Sequence, residues 1–197
     1  MFKLYYPCRP HRINQKFGEN ANAFYKQLGM TGHNGIDLYA LDGTPIRASH
    51  DGVVTFTGED GSGGLGVVIR TEDKFDYQGA DVHFKTIYWH LKTGTIKVKA
   101  GQKVKVGTLL ALADNTGMST GSHLHFGLKP VYKGEYDWQW FNLEQNNGYK
   151  GCIDPAPYWT GLLAENATLW IKISSLLTDW IVKAKVLAEL VKLSDKK

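Results

Sequence analysis

Between residues 35 and 130, short β-branched and aromatic runs alternate with glycine-centred turns, a pattern that leaves little room for helices. Residues 53–57 (VVTFT) and 66–70 (GVVIR) are bounded by glycine and acidic residues, as strands are. Residues 85–91 (KTIYWHL) alternate, which predicts His90 on the face of Tyr88. Residues 95–99 and 103–106 flank Gly101 and predict a hairpin edged with lysines. Gly61, Gly63, Gly64 and Gly66 crowd one stretch and suit tight turns and bulges. That stretch is a poor phosphate cradle, because neither a helix nor a Lys-Ser/Thr pair follows it. The pattern predicts a mainly β fold: an antiparallel sheet, sandwich or split barrel. With 197 residues and 43% hydrophobic content, the chain can build one sizeable core.

Four histidines and an aspartate fall in three segments of this β region: His33-Asn34-Gly35-Ile36-Asp37, Tyr88-Trp89-His90-Leu91 and His123-Leu124-His125. A catalytic zinc takes three protein ligands and keeps one position open, with further groups nearby for protons and charge. Residues two apart on a strand share a face, so His123 and His125 can reach one groove while Leu124 turns to the core. His33 and Asp37 are four apart with Gly35 between them, which suits a bend leading into a strand. His33, Asp37 and one of the paired histidines make a ligand set, and the carboxylate offsets the charge of the metal. Spacing alone leaves open which of His123 and His125 is the ligand.

The order H-x3-D, Y-x-H-L, T-G-x-S-T-G-x-H-L-H-F resembles the LytM/lysostaphin-type zinc endopeptidases, family M23. The likeness extends to Gly43-Thr44-Pro45-Ile46-Arg47-Ala48, Asp51-Gly52-Val53-Val54, Gly101-Gln102-Lys103-Val104-Lys105-Val106-Gly107 and Thr116-Gly117-Met118-Ser119-Thr120-Gly121, from about residue 10 to 130. The resemblance implies an antiparallel β domain holding Zn2+ on His33, Asp37 and His125. It implies hydrolysis of peptide cross-links or stem peptides of bacterial peptidoglycan by a metal-activated water. His123 is then the general base or water-orienting group, and His90 stabilises the tetrahedral oxyanion. Tyr88, Asn34 and Thr120 are candidate substrate contacts. The competing class is a non-enzymatic wall-binding or phage-assembly protein that keeps a zinc site. His11, His50 and His83 lie outside the motifs and read as ordinary half-buried polar residues.

A formal charge of +4 favours an anionic surface such as the wall, but the lysines are scattered and no nucleic-acid motif is present. Cys8 and Cys152 are too few for a disulfide scaffold and read as one bridge or two buried thiols. Residues 1–7 lack the apolar region of a signal peptide, and no uninterrupted transmembrane run appears. A wall enzyme of this kind acts outside the cell or rides on a virion, by an export route the sequence does not give. Two stretches depart from a minimal domain of this type. Residues 72–81 read as a polar loop over one side of the site. Residues 133–152 carry Tyr136, Trp138, Trp140, Phe141 and Tyr149, which either pin a long loop or contact substrate.

After Asp154-Pro155-Ala156-Pro157-Tyr158-Trp159 the chain changes character. From Leu162 onward it has no glycine or proline, and Leu169, Ile173, Leu176, Trp180, Ala184, Leu187 and Val191 recur at helical steps. Trp170, Leu177, Ile181 and Val182 widen that stripe. The boundaries read as a metallopeptidase domain over 1–160 and an amphipathic helical segment over 161–197. The helix reads as packing on the enzyme, self-associating, docking to a phage or cell-envelope partner, or lying on a membrane surface.

Overall fold

The computed structural model describes residues 1–20, 22–136 and 139–194; within the last helix, only the backbone is described for residues 168, 170 and 182–194. In chain order the elements are β1 (Leu4–Tyr6), β2 (Ile13–Gln15), α1 (Ala23–Gln27), β3 (Ile36–Tyr39), β4 (Pro45–Arg47), β5 (Gly52–Glu59) and β6 (Leu65–Arg70). There follow β7 (Phe75–Tyr77), β8 (Ala80–Trp89), β9 (Lys103–Val104), β10 (Leu109–Leu112), β11 (His123–Lys133), β12 (Trp140–Asn142), β13 (Trp159–Leu163) and α2 (Ala164–Ser194). The main sheet runs β2-β3-β11-β8-β6-β5-β9, with β12 added to β11 and β7 to β8, and its ladders are antiparallel. The chain is mainly β and the sheet does not close into a barrel.

The alternation of β11 separates two faces. Leu124, Phe126 and Leu128 are fully buried and join Ile36, Leu38, Phe84 and Tyr88 in the core. Each such side chain contributes roughly 1.5–3 kcal/mol on leaving water. The alternate residues, His123, His125, Gly127 and Lys129, occupy the opposite face. Through the core runs a buried polar chain. Thr86 Oγ1 lies 2.8 Å from His50 Nε2 and 3.2 Å from the Tyr88 hydroxyl, which accepts the Ser49 N–H at 2.9 Å.

Several expectations are corrected here. Residues 95–99 form no strand: Lys97 N–H donates to the Leu110 carbonyl and Leu112 N–H to Thr95 Oγ1, so the segment is tied beside β10. Lys103 and Val104 pair with β5 instead. The expected loop at 72–81 is a hairpin, with β7 folded on β8 through Gln78 and Gly79, both at positive φ. Phe75 and Tyr77 pack it against the aromatic core, on Phe2 and Phe84. Of the two readings of Cys8 and Cys152, two separate buried thiols is the one observed.

β13 runs across residue 160, pairing in parallel with β1, and the helix starts only at Ala164. Ala164 and Ala167 are buried beside Val106 and Tyr5. Beyond them Leu169, Ile171, Ile173, Leu176, Leu177, Trp180 and Ile181 are exposed, with Ile171 still facing a cavity shared with Phe2, Tyr5 and Val106, so the described side chains pack on the β domain only near the start of the helix. The side chains of Trp170, Val182, Ala184, Leu187 and Val191, and all of Trp138, lie outside the described residues. No helix is long and apolar enough to cross a membrane among the described residues.

Ending the chain after residue 169 is expected to cost less than roughly 1 kcal/mol, moving Tm by no more than about 3 °C in calorimetry. A second expectation concerns acid. Burial pushes the His50 imidazole down to about 4, against the opposing pull of the Asp51 carbonyl and carboxylate. The unfolded chain then binds the proton first, near pH 6.5. Stability is therefore full above that value and falls as pH drops toward about 4, by roughly 3 kcal/mol at most from this group. Denaturant titrations of His50→Gln between pH 7 and 4 should show a flatter loss than the wild type.

Candidate metal centre

The site follows from one register. On β11, His125 stands opposite Asp37 of β3 on one side and opposite Trp89 of β8 on the other. Their side chains share the face away from the core, and His123, two residues earlier, joins them. His33 arrives from the loop before β3. Its N–H donates to the Glu19 carbonyl and its own carbonyl accepts from Gly18 N–H, which fixes the loop against residues 18 and 19. Gly35 supplies the bend. A Cβ there would lie 2.6 Å from the Phe126 carbonyl oxygen and 2.8 Å from His125 Nε2, so only glycine lets the chain pass this close to the ring.

Three atoms converge. His33 Nε2 lies 3.0 Å from His125 Nδ1 and 3.1 Å from Asp37 Oδ1, and His125 Nδ1 lies 3.1 Å from the same oxygen. A tetrahedral zinc with bonds of about 2.0–2.1 Å needs ligand atoms about 3.3 Å apart, so this triangle fits one face of that polyhedron with little adjustment. His33 Nδ1 lies 3.1 Å from the Lys16 carbonyl oxygen; donating there holds the ring and leaves the Nε2 lone pair for a metal. The donor set of two imidazoles and one carboxylate suits zinc. His33, Asp37 and His125 are the one metal-competent cluster among the described residues.

The electrostatics match a cation site. Burial alone would raise the Asp37 carboxyl, but the close imidazoles of His123, His125 and His33 outweigh it and hold the group far below the usual carboxylate range. Burial lowers His125, against the raising effect of Asp37. His123 sits nearer the mouth, its side chain 18% exposed against 4% for His33, with Nε2 3.5 Å from Asp37 Oδ1. Burial lowers His123 too, but the Asp37 hydrogen bond and charge outweigh it and raise the group.

His90 reaches the site by a route that alternation does not predict. Tyr88 points into the core, fully buried, so it offers no surface to a substrate. β8 ends at Trp89, and His90 takes a left-handed backbone with φ 62° that turns its ring to the opposite face. Its backbone is held there, N–H donating to the Gly63 carbonyl and carbonyl accepting from Asp114 N–H. Gly64 and Gly117 meet backbone to backbone alongside; a Cβ on Gly64 would lie 2.4 Å from Gly117 N. The His90 and His123 rings are 4.6 Å apart. Each directs Nδ1 at a backbone carbonyl, Thr116 at 2.7 Å and Gly121 at 2.8 Å. Burial pushes His90 down to about 4, so it is neutral at ordinary pH.

Of the remaining candidates, Asn34 is half-buried beside the Gly35 bend and Thr120 is exposed in the loop before β11. The hydroxyl-rich loop there has structural bonds: Thr116 Oγ1 bridges Leu65 N–H and the Leu91 carbonyl, and Ser122 Oγ donates to the Ala40 carbonyl. Ser119 Oγ lies 3.4 Å from His123 Nδ1. Motif reading missed the carbonyls of Lys16, Thr116 and Gly121, for which side-chain identity carries no signal. It also missed Trp89, whose ring covers Gly63 and Gly66 beside the site.

The model of peptidase family M23 matches residues 31–137, more than half of the chain. The chain belongs to peptidase family M23. Over 115 residues this M23 chain is 39% identical to the DD-carboxypeptidase/endopeptidase Mpg of Neisseria meningitidis serogroup B, covering 58% of this chain and 24% of that protein. It is 34% identical over 101 residues to the glycyl-glycine endopeptidase ALE-1 of Staphylococcus capitis, covering 50% of this chain and 25% of that protein. The aligned part thus spans about a quarter of each of these relatives. A crystal structure of a zinc containing peptidase from Vibrio cholerae superposes with a TM-score of 0.53 at 30% identity, covering 66% of this chain and 37% of that one.

Zinc added to metal-free protein should bind one ion per chain, read by elemental analysis after desalting. His33→Ala and Asp37→Ala are each expected to weaken that binding by on the order of a hundredfold or more, while His90→Ala retains it.

Proposed function

We propose that this M23 domain is a zinc-dependent endopeptidase acting on peptide bonds of bacterial peptidoglycan, outside the cell at the wall. The observation that carries the proposal is the triangle of His33 Nε2, Asp37 Oδ1 and His125 Nδ1 with edges of 3.0–3.1 Å, flanked by two further imidazoles. Zinc held there supplies Lewis acidity, polarising a carbonyl and bringing the pKa of a water to roughly 7. Relatives of this chain carry names for that chemistry, a DD-carboxypeptidase/endopeptidase and a glycyl-glycine endopeptidase.

In this reading His123 takes the proton of the attacking water. Its Nδ1–H is committed to the Gly121 carbonyl, so Nε2 is the atom that accepts, and Asp37 3.5 Å away stabilises the resulting imidazolium. His90 is oriented the same way by Thr116, which leaves Nε2 as its unengaged nitrogen. The neutral ring has only a lone pair there. Its burial keeps the ring neutral, so His90 serves to orient groups at the mouth, accepting through Nε2 a hydrogen bond from the attacking water or the substrate amide. Asn34 and Thr120 stand at the edge of the site, where a substrate backbone can meet them. The exposed apolar side chains of α2 support its use in attaching the domain to a further surface.

The test is mass spectrometry of soluble products from purified peptidoglycans of differing cross-link type, mixed with zinc-loaded protein. New peptide termini are expected, with turnover lowered on the order of a hundred- to thousandfold in His123→Ala and His90→Ala. Zinc bound at full occupancy with no product from any wall type would sink the peptidase reading and favour a binding or assembly protein.

A further inference from the structure

Three cations stand in one row across three strands. Lys85 of β8 pairs directly with Arg70 of β6 on one side and with Lys129 of β11 on the other. Directly opposed residues have Cβ atoms about 4.5–5.5 Å apart, and like charges so placed destabilise a sheet. No carboxylate lies within 4.0 Å of any of the three among the described residues, whose ion pairs engage Arg9, Arg47, Lys92, Lys103 and Lys105 instead. Glu72 acts on Arg70 from a distance, and its own partner is Lys103 at 2.6 Å. Lys85 is half-buried, and burial together with Arg70 and Lys129 lowers its ammonium.

The row is also built. Arg70 is fixed by Trp140 of β12, whose ring centre is 3.6 Å from the guanidinium carbon, and the edge of His83 packs on the same ring at 5.1 Å. Arg70 Nε is buried with no hydrogen-bond partner, a donor left without an acceptor. Stacking on an aromatic face holds a planar cation without neutralising it. Like-charged groups kept together, partly buried and unpaired, carry an electrostatic cost that a bound anion removes.

The row shares its face with the metal-binding residues. Alternation puts Lys129 on the side of His125, four residues away, and Lys85 on the side of Trp89, also four away. At about 3.3–3.4 Å per residue the separation is about 13 Å, the span of about four extended peptide residues. Between them lie Ile87 and Gly127, both buried, with the buried Cys152 against Gly127.

We infer that Arg70, Lys85 and Lys129 form a carboxylate-binding subsite that selects an acidic peptide substrate, with its anionic group at least about four residues from the scissile bond. This rests on the peptidase reading above and deepens it: an uncharged glycine run would leave the row unsatisfied, whereas a stem peptide bearing free carboxylates satisfies it. The carboxylate can come from a side chain or from a chain terminus.

The test separates binding from cleavage. Zinc-loaded protein is titrated calorimetrically with synthetic six-residue alanine–glycine peptides carrying one glutamate at successive positions, each beside its glutamine counterpart. A second arm places the carboxylate at the C-terminus, against the C-terminal amide. The wild type should bind the best-placed acidic peptide at least roughly tenfold more tightly than its neutral twin. Lys85→Gln and Lys129→Gln should lose that preference without weakening the neutral peptide. The arm that shows the preference names the source of the carboxylate. Equal affinity for acidic and neutral peptides in the wild type, no binding of either, or a preference untouched by both substitutions overturns the inference. A preference found in protein that releases nothing from any wall would leave the subsite standing and remove the peptidase reading alone.

Discussion

The pairing of β11 with β3 and β8 is the constraint on which the site depends. It sets His125 against Asp37 and Trp89 in one cross-strand row. A slip of one residue would exchange the faces of β11, sending His123 and His125 into the core and Leu124 and Phe126 to water. The buried Leu124, Phe126 and Leu128 make such a slip costly. The hydrophobic side of one strand thereby holds two nitrogen donors on its other side in place. Asp37 is fixed by the same logic, between buried Ile36 and Leu38.

Around that register, backbone does much of the orienting. Lys16, Thr116 and Gly121 each present a carbonyl to Nδ1 of a site histidine, so His33, His90 and His123 all keep Nε2 for the chemistry. His125 differs, using Nδ1 toward the ligand triangle. Glycines make the close approaches possible: Gly35 against the His125 ring, and Gly64 against Gly117 beside His90. A side chain at Gly35 or Gly64 would displace the ring or loop that gives the imidazoles their positions.

Much of this was legible in the sequence, for identifiable reasons. His123-Leu124-His125 carries its geometry in its spacing, since a period of two has one meaning on a strand. Gly35 between His33 and Asp37 announced the bend. Alternation misplaces Tyr88 and His90 together, because it assumes a strand that continues, and this one ends at Trp89 with a left-handed residue after it. The hairpin at 72–81 was hidden by polar composition, although Gln78-Gly79 is its turn. Residues 95–99 have strand-like composition but are held by single bonds to β10. The cationic row had no local signal at all. Arg70, Lys85 and Lys129 are far apart in the chain and meet only through the order β6-β8-β11.

The proposed division of labour among the five site residues is the central claim: His33, Asp37 and His125 as metal ligands, with His90 and His123 kept off the metal. X-ray absorption at the zinc edge of the metal-loaded full chain counts the coordinated imidazoles directly. Two imidazoles with two oxygen donors at about 2.0–2.2 Å are the predicted shell. A shell of three or four imidazoles would place His123 or His90 on the metal and contradict the account.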